Sequence, residues 1–209
     1  MEILKNKAFF VTGIGTGVGK TVTSAILTEL LKADYWKPIQ AGDIENSDKK
    51  TVQNLILNTE TNFFPETYLL HTPASPHYAA ALENKHIQLT DFSLPKTSNT
   101  LVVEGAGGLM VPINERETIL DLIQHLKLPV VLVVQNYLGA INHTLLSIKA
   151  LQSYNIEILG LIYNGDNYND NQQIIYEITG LPTLLNITLG TIIDKAFVEN
   201  QVRKIKAIL

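Results

Sequence analysis

Residues 13–21 read Gly-Ile-Gly-Thr-Gly-Val-Gly-Lys-Thr, a run whose chemistry is to hold phosphate. Glycines let backbone N–H groups curl around an anion without Cβ clashes, and a helix opening behind them adds its partial positive charge. The Gly-Lys-Thr ending after a strand is the signature of a phosphate-binding P-loop. Lys20 would then bridge the β- and γ-phosphates, and the Thr21 hydroxyl would hold Mg2+. Gly15, Thr16, Gly17, Val18, Gly19 and Val22 complete the nucleotide-binding stretch. The strict pattern places a glycine five positions before Gly19, where this chain has Ile14. Gly13 comes one residue earlier, so the loop is one residue longer than the common form. The dinucleotide pattern Gly-x-Gly-x-x-Gly fails, because its third glycine would fall on Val18 or Lys20.

An acidic partner for such a loop stands in Leu101-Val102-Val103-Glu104-Gly105-Ala106-Gly107-Gly108. A carboxylate directly after three apolar residues needs a strong compensating interaction. Organising a cation at the phosphate site is one such reason, and a structural salt bridge is the plain alternative. The small residues behind Glu104 let a ligand approach the backbone closely.

The elements that must position these residues alternate along the chain. Short β-branched runs at Ala8–Val11, Tyr35–Lys37, Leu101–Val103, Pro129–Val134, Ile156–Tyr163 and Thr183–Ile187 read as strands. The stretch 21–31 carries apolar residues at helical spacing, and further helices are expected at about 48–58, 76–84, 118–126, 140–154, 169–179 and 194–208. Continuous apolar strands separated by helices predict an α/β fold, P-loop NTPase-like, with a mostly parallel sheet covered by helices on both faces. In such sheets ligands bind outside the carboxyl ends of the strands, which is where the Gly-rich turn, Pro38–Asp48, Glu104–Pro112, Gln135–His143 and Asn164–Asn169 would fall.

The 209 residues suit one domain spanning 1–209. With 45% hydrophobic and 17% charged residues the chain can bury a core. The net charge of −4, with arginine only at Arg116 and Arg203, argues against nucleic acid as a partner. The absence of cysteine excludes disulfides, Cys-ligated metal and thiol catalysis. The polar opening Met1–Lys7 and an apolar run no longer than Leu128–Val134 speak against a signal peptide or a membrane span. A cytoplasmic location is expected.

Six motifs in order resemble those of the dethiobiotin synthetase family, the ATP-dependent ring-closing enzymes of biotin synthesis. The extended Gly-rich loop is similar to the family's Gly-Thr-Asp-Thr-Gly-Val-Gly-Lys-Thr. Trp36-Lys37-Pro38-Ile39-Gln40-Ala41-Gly42 resembles its Tyr-Lys-Pro-Val-x-x-Gly. Asn46-Ser47-Asp48, Ser75-Pro76-His77 with Ala79–Ala81, Val103–Gly108 and Leu138–His143 match the remaining four.

The resemblance implies that one amine of 7,8-diaminononanoate takes up CO2 as a carbamate. ATP then phosphorylates the carbamate, and the second amine closes the cyclic urea with release of ADP and phosphate. It assigns Lys37, Lys20 and Thr16 to catalysis, with Lys37 holding the carbamate anion. Thr21, Asp48 and Glu104 become an oxygen-rich Mg2+ set, as a hard cation requires, although Asn-Ser-Asp is also a good helix cap. Gly105, Ala106, Gly107 and Asn164 join the nucleotide contacts, Asn164 at the adenine. Thr16, Lys37, Ala41, Gly139, Ala140, Ile141 and Asn142 join the substrate contacts, with Thr72–Pro76 as a substrate-side loop. In the family the 139–143 turn comes from the neighbouring subunit, so a homodimer with shared sites is implied. His143 reads as structural, and His71 and His77 imply no zinc site.

Three departures stand out. Ile14-Gly15 replaces the family's Thr-Asp, Ala41 replaces a hydroxyl residue, and the Gly-x-Ile-Pro segment that helps hold the adenine is not recognisable in residues 184–190. A second reading is a partitioning-type P-loop ATPase acting as a positioning module. Its terminal helix would lay Val198, Val202, Ile205 and Leu209 on a membrane surface, although packing on the sheet is the plainer role, and Gly15 stands where that class carries a signature lysine. A third, an amidotransferase ligase of related fold, needs a cysteine nucleophile that this chain lacks.

Overall fold

A computed structural model describes residues 2–5, 8–166 and 170–207. The chain opens with β1 (Ala8–Gly13), whose residues lie between two layers: Phe9 and Val11 point to one face and Phe10 to the other. Such two-sided burial is the physical reason for an uninterrupted apolar run. The Gly-rich turn leads into α1 (Lys20–Leu31), then β2 (Asp34–Trp36), β3 (Ile39–Ala41), α2 (Asp48–Leu55), β4 (Tyr68–Leu70) and α3 (Pro76–Leu82). The second half alternates regularly through β5 (Leu101–Gly108), α4 (Ile119–Leu126), β6 (Val130–Gln135), α5 (Ala140–Ser153), β7 (Ile158–Asn164), α6 (Asn171–Thr179), β8 (Thr183–Ile187) and α7 (Lys195–Lys206).

Six strands form one sheet in the order β2-β5-β1-β6-β7-β8, with every neighbouring pair parallel. One face is covered by α1, α2 and α7, which contribute Ile26, Val52 and Val198 to its core. The opposite face is covered by α3 to α6, contributing Ala79, Ile123, Ile148 and Ile175. The expected parallel sheet with helices on both faces is what the chain builds.

The differences are local. β3 and β4 form a separate two-stranded parallel sheet, Ile39 opposite Tyr68 and Ala41 opposite Leu70, in stretches with no strand expected. β5 runs on to Gly108, so Glu104 sits within the strand instead of just past it. The glycines there continue the strand because the layer above is close: a Cβ on Gly105 would lie 2.6 Å from the Phe10 ring. β2 stops at Trp36, leaving Lys37 immediately beyond it. The helix expected over 194–208 spans Lys195–Lys206, with Asp194 capping the Phe197 N–H at 2.8 Å. Positions 169, 208 and 209 lie outside the described residues.

Candidate active site

The loop after β1 is braced from β7. Asn164, the last residue of β7, donates from Nδ2 to the Val18 carbonyl at 2.6 Å. Gly19, at φ 90° and capping α1, leaves the room this needs, since a Cβ there would sit 2.1 Å from Asn164 Nδ2. Asn164 therefore anchors the loop, a role beyond the adenine contact expected of it. Lys20 folds back over the loop and donates to the Gly15 carbonyl at 3.0 Å. Burial, and after it the neighbouring Lys37 charge, lower its amine to about 8. A buried amine held over the loop is poised for an anion that would stabilise its charge.

Beside the loop, five side chains from four segments meet. Glu104 is 1% exposed. Its Oε1 accepts from Thr21 Oγ1 at 2.8 Å and from Lys37 Nζ at 3.2 Å, and its Oε2 accepts from the Tyr35 hydroxyl at 2.8 Å. Thr21 Oγ1 also lies 3.0 Å from Asp48 Oδ1. Lys37 Nζ pairs with Asp48 Oδ2 at 2.6 Å and donates to the Gly105 carbonyl at 2.8 Å. Burial opposes the Lys37 charge, but the Glu104 and Asp48 carboxylates outweigh it and hold the amine above its ordinary value. For Asp48 burial is likewise outweighed, chiefly by Lys37, and the carboxyl is held below its ordinary value. Burial and then Glu104 push the Tyr35 phenol well up, so it stays a donor.

Asp48 is not itself the helix cap, and its carboxylate turns to Lys37 and Thr21. It is the first residue of α2, after Ser47, whose hydroxyl accepts from Lys50 N as the cap. Gln40 of β3 accepts from the Asp48 N–H at 3.2 Å, so the small second sheet sets where the carboxylate points.

These groups line a cavity of about 640 Å3 with Thr16, Gly17, Gly19, Val22, Ala41, Ala106 and Gly107. Its far wall is Pro73–Pro76, within the expected substrate-side loop, together with Val111. Val18 and Asn164 line an adjoining cavity of about 230 Å3, whose other walls include Val22, Ile187, Thr188, Leu189 and Phe197. Gly15 and Thr16 also face a third cavity of about 460 Å3 beside His143 and Leu146. Gly139, Ala140, Ile141 and Asn142 form the start of α5 as expected, but within one chain they do not line the Lys37 cavity.

Sequence reading passed over Tyr35 and Gln40 as site residues, and Thr188, Leu189 and Phe197 beside the loop. Tyr35 reads as an apolar strand residue, and only its tertiary partner distinguishes it. Gln40 lay inside a motif already singled out, where an amide among apolar neighbours was the available signal. The membrane-surface face suggested for the terminal helix is not available: Val198, Val202 and Ile205 are buried against the sheet and α1. Among the described residues no group of three or more His, Cys, Asp and Glu gathers, and none of the helices is long and apolar enough to cross a membrane.

A family model described as an AAA domain matches residues 7–193. The ATP-dependent dethiobiotin synthetase BioD of Christiangramia forsetii is 47% identical over 200 residues, 96% of each chain. The protein of the same name from Cytophaga hutchinsonii is 43% identical over 183 residues, covering 87% of this chain and 88% of that one. Among solved structures, a ParA family ATPase from Chlorobium tepidum superposes with a TM-score of 0.56 at 10% identity, over 97% of this chain and 92% of that one, a likeness of fold alone.

Proposed function

This chain belongs to the dethiobiotin synthetase family, and we propose that it forms dethiobiotin from 7,8-diaminononanoate, CO2 and ATP, releasing ADP and phosphate. The observation that carries the reading is the convergence of Lys37, Thr21, Asp48 and Glu104 beside the phosphate loop. Phosphoryl transfer needs in-line positioning and neutralised charge more than covalent help from the protein. Lys20 and the loop N–H groups hold the triphosphate. Lys37, at the carboxyl end of β2, faces the anion made when one substrate amine takes up CO2. The γ-phosphoryl group passes to that carbamate oxygen. The second amine then attacks the carbonyl carbon, phosphate leaves, and the cyclic urea closes. Thr16 and the Pro73–Pro76 wall orient the chain of the diamine and keep water from the mixed anhydride.

The donor set fits Mg2+: a hydroxyl and two carboxylates, all oxygen, with each carboxylate within 3.0 Å of the Thr21 hydroxyl. Mg2+ is usually held by one or two carboxylates with phosphate oxygens and water completing its shell. Thr21, Asp48 and Glu104 would hold it, and it would supply charge neutralisation at the phosphates.

We further assign a homodimer. Met110 and Leu146, at 65% and 60% exposure, line the third cavity with Leu109 and Val111, an exposed apolar patch of the kind that marks association. A partner's 139–143 turn seated there would offer helix N-terminal N–H groups to the substrate carboxylate. A chain without cysteine suits a reducing compartment, and we assign the cytoplasm. A positioning ATPase is disfavoured by Gly15 and by the buried face of α7.

The test is turnover. ATP hydrolysis should require both the diamine and bicarbonate, with dethiobiotin as product. Full-rate hydrolysis with neither present would overturn the reading.

A further inference from the structure

We infer that Tyr35 is a positioning residue that fixes which way the Glu104 carboxylate faces. In the parallel pairing of β2 with β5, Tyr35 stands opposite Val102. Glu104 is two residues further along β5 and projects from the same face, within reach of a phenol leaning along the strand.

The mount is rigid on every side. Tyr35 is fully buried. Its N–H donates to Asn62 O at 2.9 Å and its carbonyl accepts from Phe64 N at 3.0 Å, so the outer edge of β2 is tied down as well. Its ring leans on Phe63 at a centroid distance of 5.8 Å.

A carboxylate has two oxygens that can exchange places by rotation. At Glu104 only one of them meets Thr21 and Lys37. The Tyr35 hydroxyl occupies the other, donating to it at 2.8 Å. One oxygen is thereby dedicated to the core and the other to the site. Without the hydroxyl, Oε2 is a buried oxygen with no donor, and turning toward Lys37 or Thr21 becomes favourable.

The inference rests on reading Thr21, Asp48 and Glu104 as the Mg2+ set, and partners of ligating carboxylates tune metal affinity. It predicts a change in cation binding that can be read without turnover. The affinity of the intact protein for the non-hydrolysable analogue AMPPNP is measured calorimetrically in EDTA and across a Mg2+ titration. The proteins compared are wild type, Tyr35→Phe and Phe63→Leu, each checked as folded by ligand-free thermal unfolding. Tyr35→Phe removes one oxygen and keeps the ring packed.

Its affinity in EDTA should match wild type, while the Mg2+ needed for half-maximal tightening rises about tenfold or more. Phe63→Leu, which loosens the packing but keeps the hydroxyl, should need no more Mg2+ than wild type. An unchanged Mg2+ requirement in Tyr35→Phe, or an equal rise in Phe63→Leu, would overturn the inference and leave the cation site standing. If wild type gains nothing from Mg2+, the cation reading itself fails and this inference with it, a result visible before any variant is compared.

Discussion

Lys37 Nζ lies 2.6 Å from Asp48 Oδ2, and the two ends of this ion pair live in different surroundings: the lysine side chain is 4% exposed and the aspartate 32%. The carboxylate can therefore be engaged from the cavity while the amine keeps Glu104 and the Gly105 carbonyl behind it. A ligand that draws Asp48 away frees the Lys37 charge for an anion on the substrate. Lys37→Ala and Lys20→Ala should each lower kcat by about 10²-fold or more, because each removes a cation facing developing negative charge. Lys20→Ala should also weaken nucleotide binding, whereas Lys37→Ala should leave it nearly intact. Equal losses of nucleotide affinity would move Lys37 from the substrate to the phosphates.

Glu104 holds two buried donors besides Thr21, so its loss reaches beyond chemistry. Glu104→Leu leaves the Tyr35 hydroxyl without its acceptor and takes from Lys37 the more buried of its two carboxylate partners among the described residues. Breaking a buried pair from one side costs about 3 kcal/mol or more, roughly 6–12 °C in Tm for a chain of this size. Adding Lys37→Met removes the stranded charge, and the double variant should recover part of the loss. Thermal unfolding that finds the double variant less stable than Glu104→Leu would show that Lys37 is held by something other than its charge partners.

The fold was legible wherever burial on both sides of a strand demanded an apolar run, as in Val130–Val134 between β1 and β7. The phosphate loop was legible because its chemistry fixes residue type at fixed spacing. β3 and β4 were not, since each is three residues long and exists only through pairing with a segment 29 residues away in sequence, Ile39 with Tyr68. Gly105–Gly108 were expected past the strand, where small residues let a ligand approach, for the same reason they extend it: small residues permit close approach, here of the Phe10 ring to Gly105 and of Gly13 to Gly108. Tyr35 was illegible for a third reason. A tyrosine in a buried strand is ordinarily core, and its hydroxyl acquires meaning from a carboxylate 69 positions later.

The 139–143 turn and the Lys37 cavity are separate within one chain, which makes the shared-site homodimer directly testable. Inactive Lys37→Ala and Asn142→Ala proteins should regain activity when mixed, because a hybrid dimer contains one site with both residues intact. Subunit exchange is followed in parallel by native mass spectrometry with one partner isotopically labelled. Proven exchange without recovery would argue that each chain completes its own site.

Glu83 ties down the chain just before the Pro73–Pro76 wall of the Lys37 cavity. Its Oε1 accepts from the N–H groups of His71 and Thr72 at 2.6 and 3.0 Å, and Oε2 pairs with Lys85 at 2.9 Å. The hydrogen bond from Lys85, and then those from the backbone, lower its carboxyl from 4.5 to about 2. A group lowered in the folded state contributes stability above its unfolded value and loses it as pH falls through the folded one. Protection of the His71 and Thr72 amides from hydrogen exchange should therefore hold above pH 4.5 and fade toward pH 2. Glu83→Ala should raise the KM for the diamine about three- to tenfold through misplacement of the 72–76 wall, with kcat less affected, and Glu83→Gln, still an acceptor, should restore most of it. A Glu83→Ala protein with unchanged KM would detach this loop from substrate binding.

The nucleotide base should be chosen weakly. Rejection of a wrong base comes from polar groups left unpaired at its edge, and the cavity beside the loop offers few of them. Its apolar walls are Val18, Val22, Ile187, Leu189, Ile193 and Phe197, and its polar side chains are Gln135, Asn164 and Thr188. Asn164 already spends a donor on the Val18 carbonyl, and the Thr188 hydroxyl is engaged by Gln201 Nε2 at 2.8 Å. With the base in this cavity, Ile187 and Leu189 would meet it through apolar side chains where the family's Gly-x-Ile-Pro segment helps hold the adenine. Losing part of a hydrogen-bonded edge costs roughly 1–3 kcal/mol of discrimination, while Lys20 and the loop treat all triphosphates alike. GTP and CTP should support dethiobiotin formation with kcat/KM values within about a hundredfold of ATP. Side-by-side measurement of the three decides it. A preference for ATP beyond about a thousandfold would mean that the 188–190 turn and Asn164 rearrange around adenine and supply the edge contacts after all.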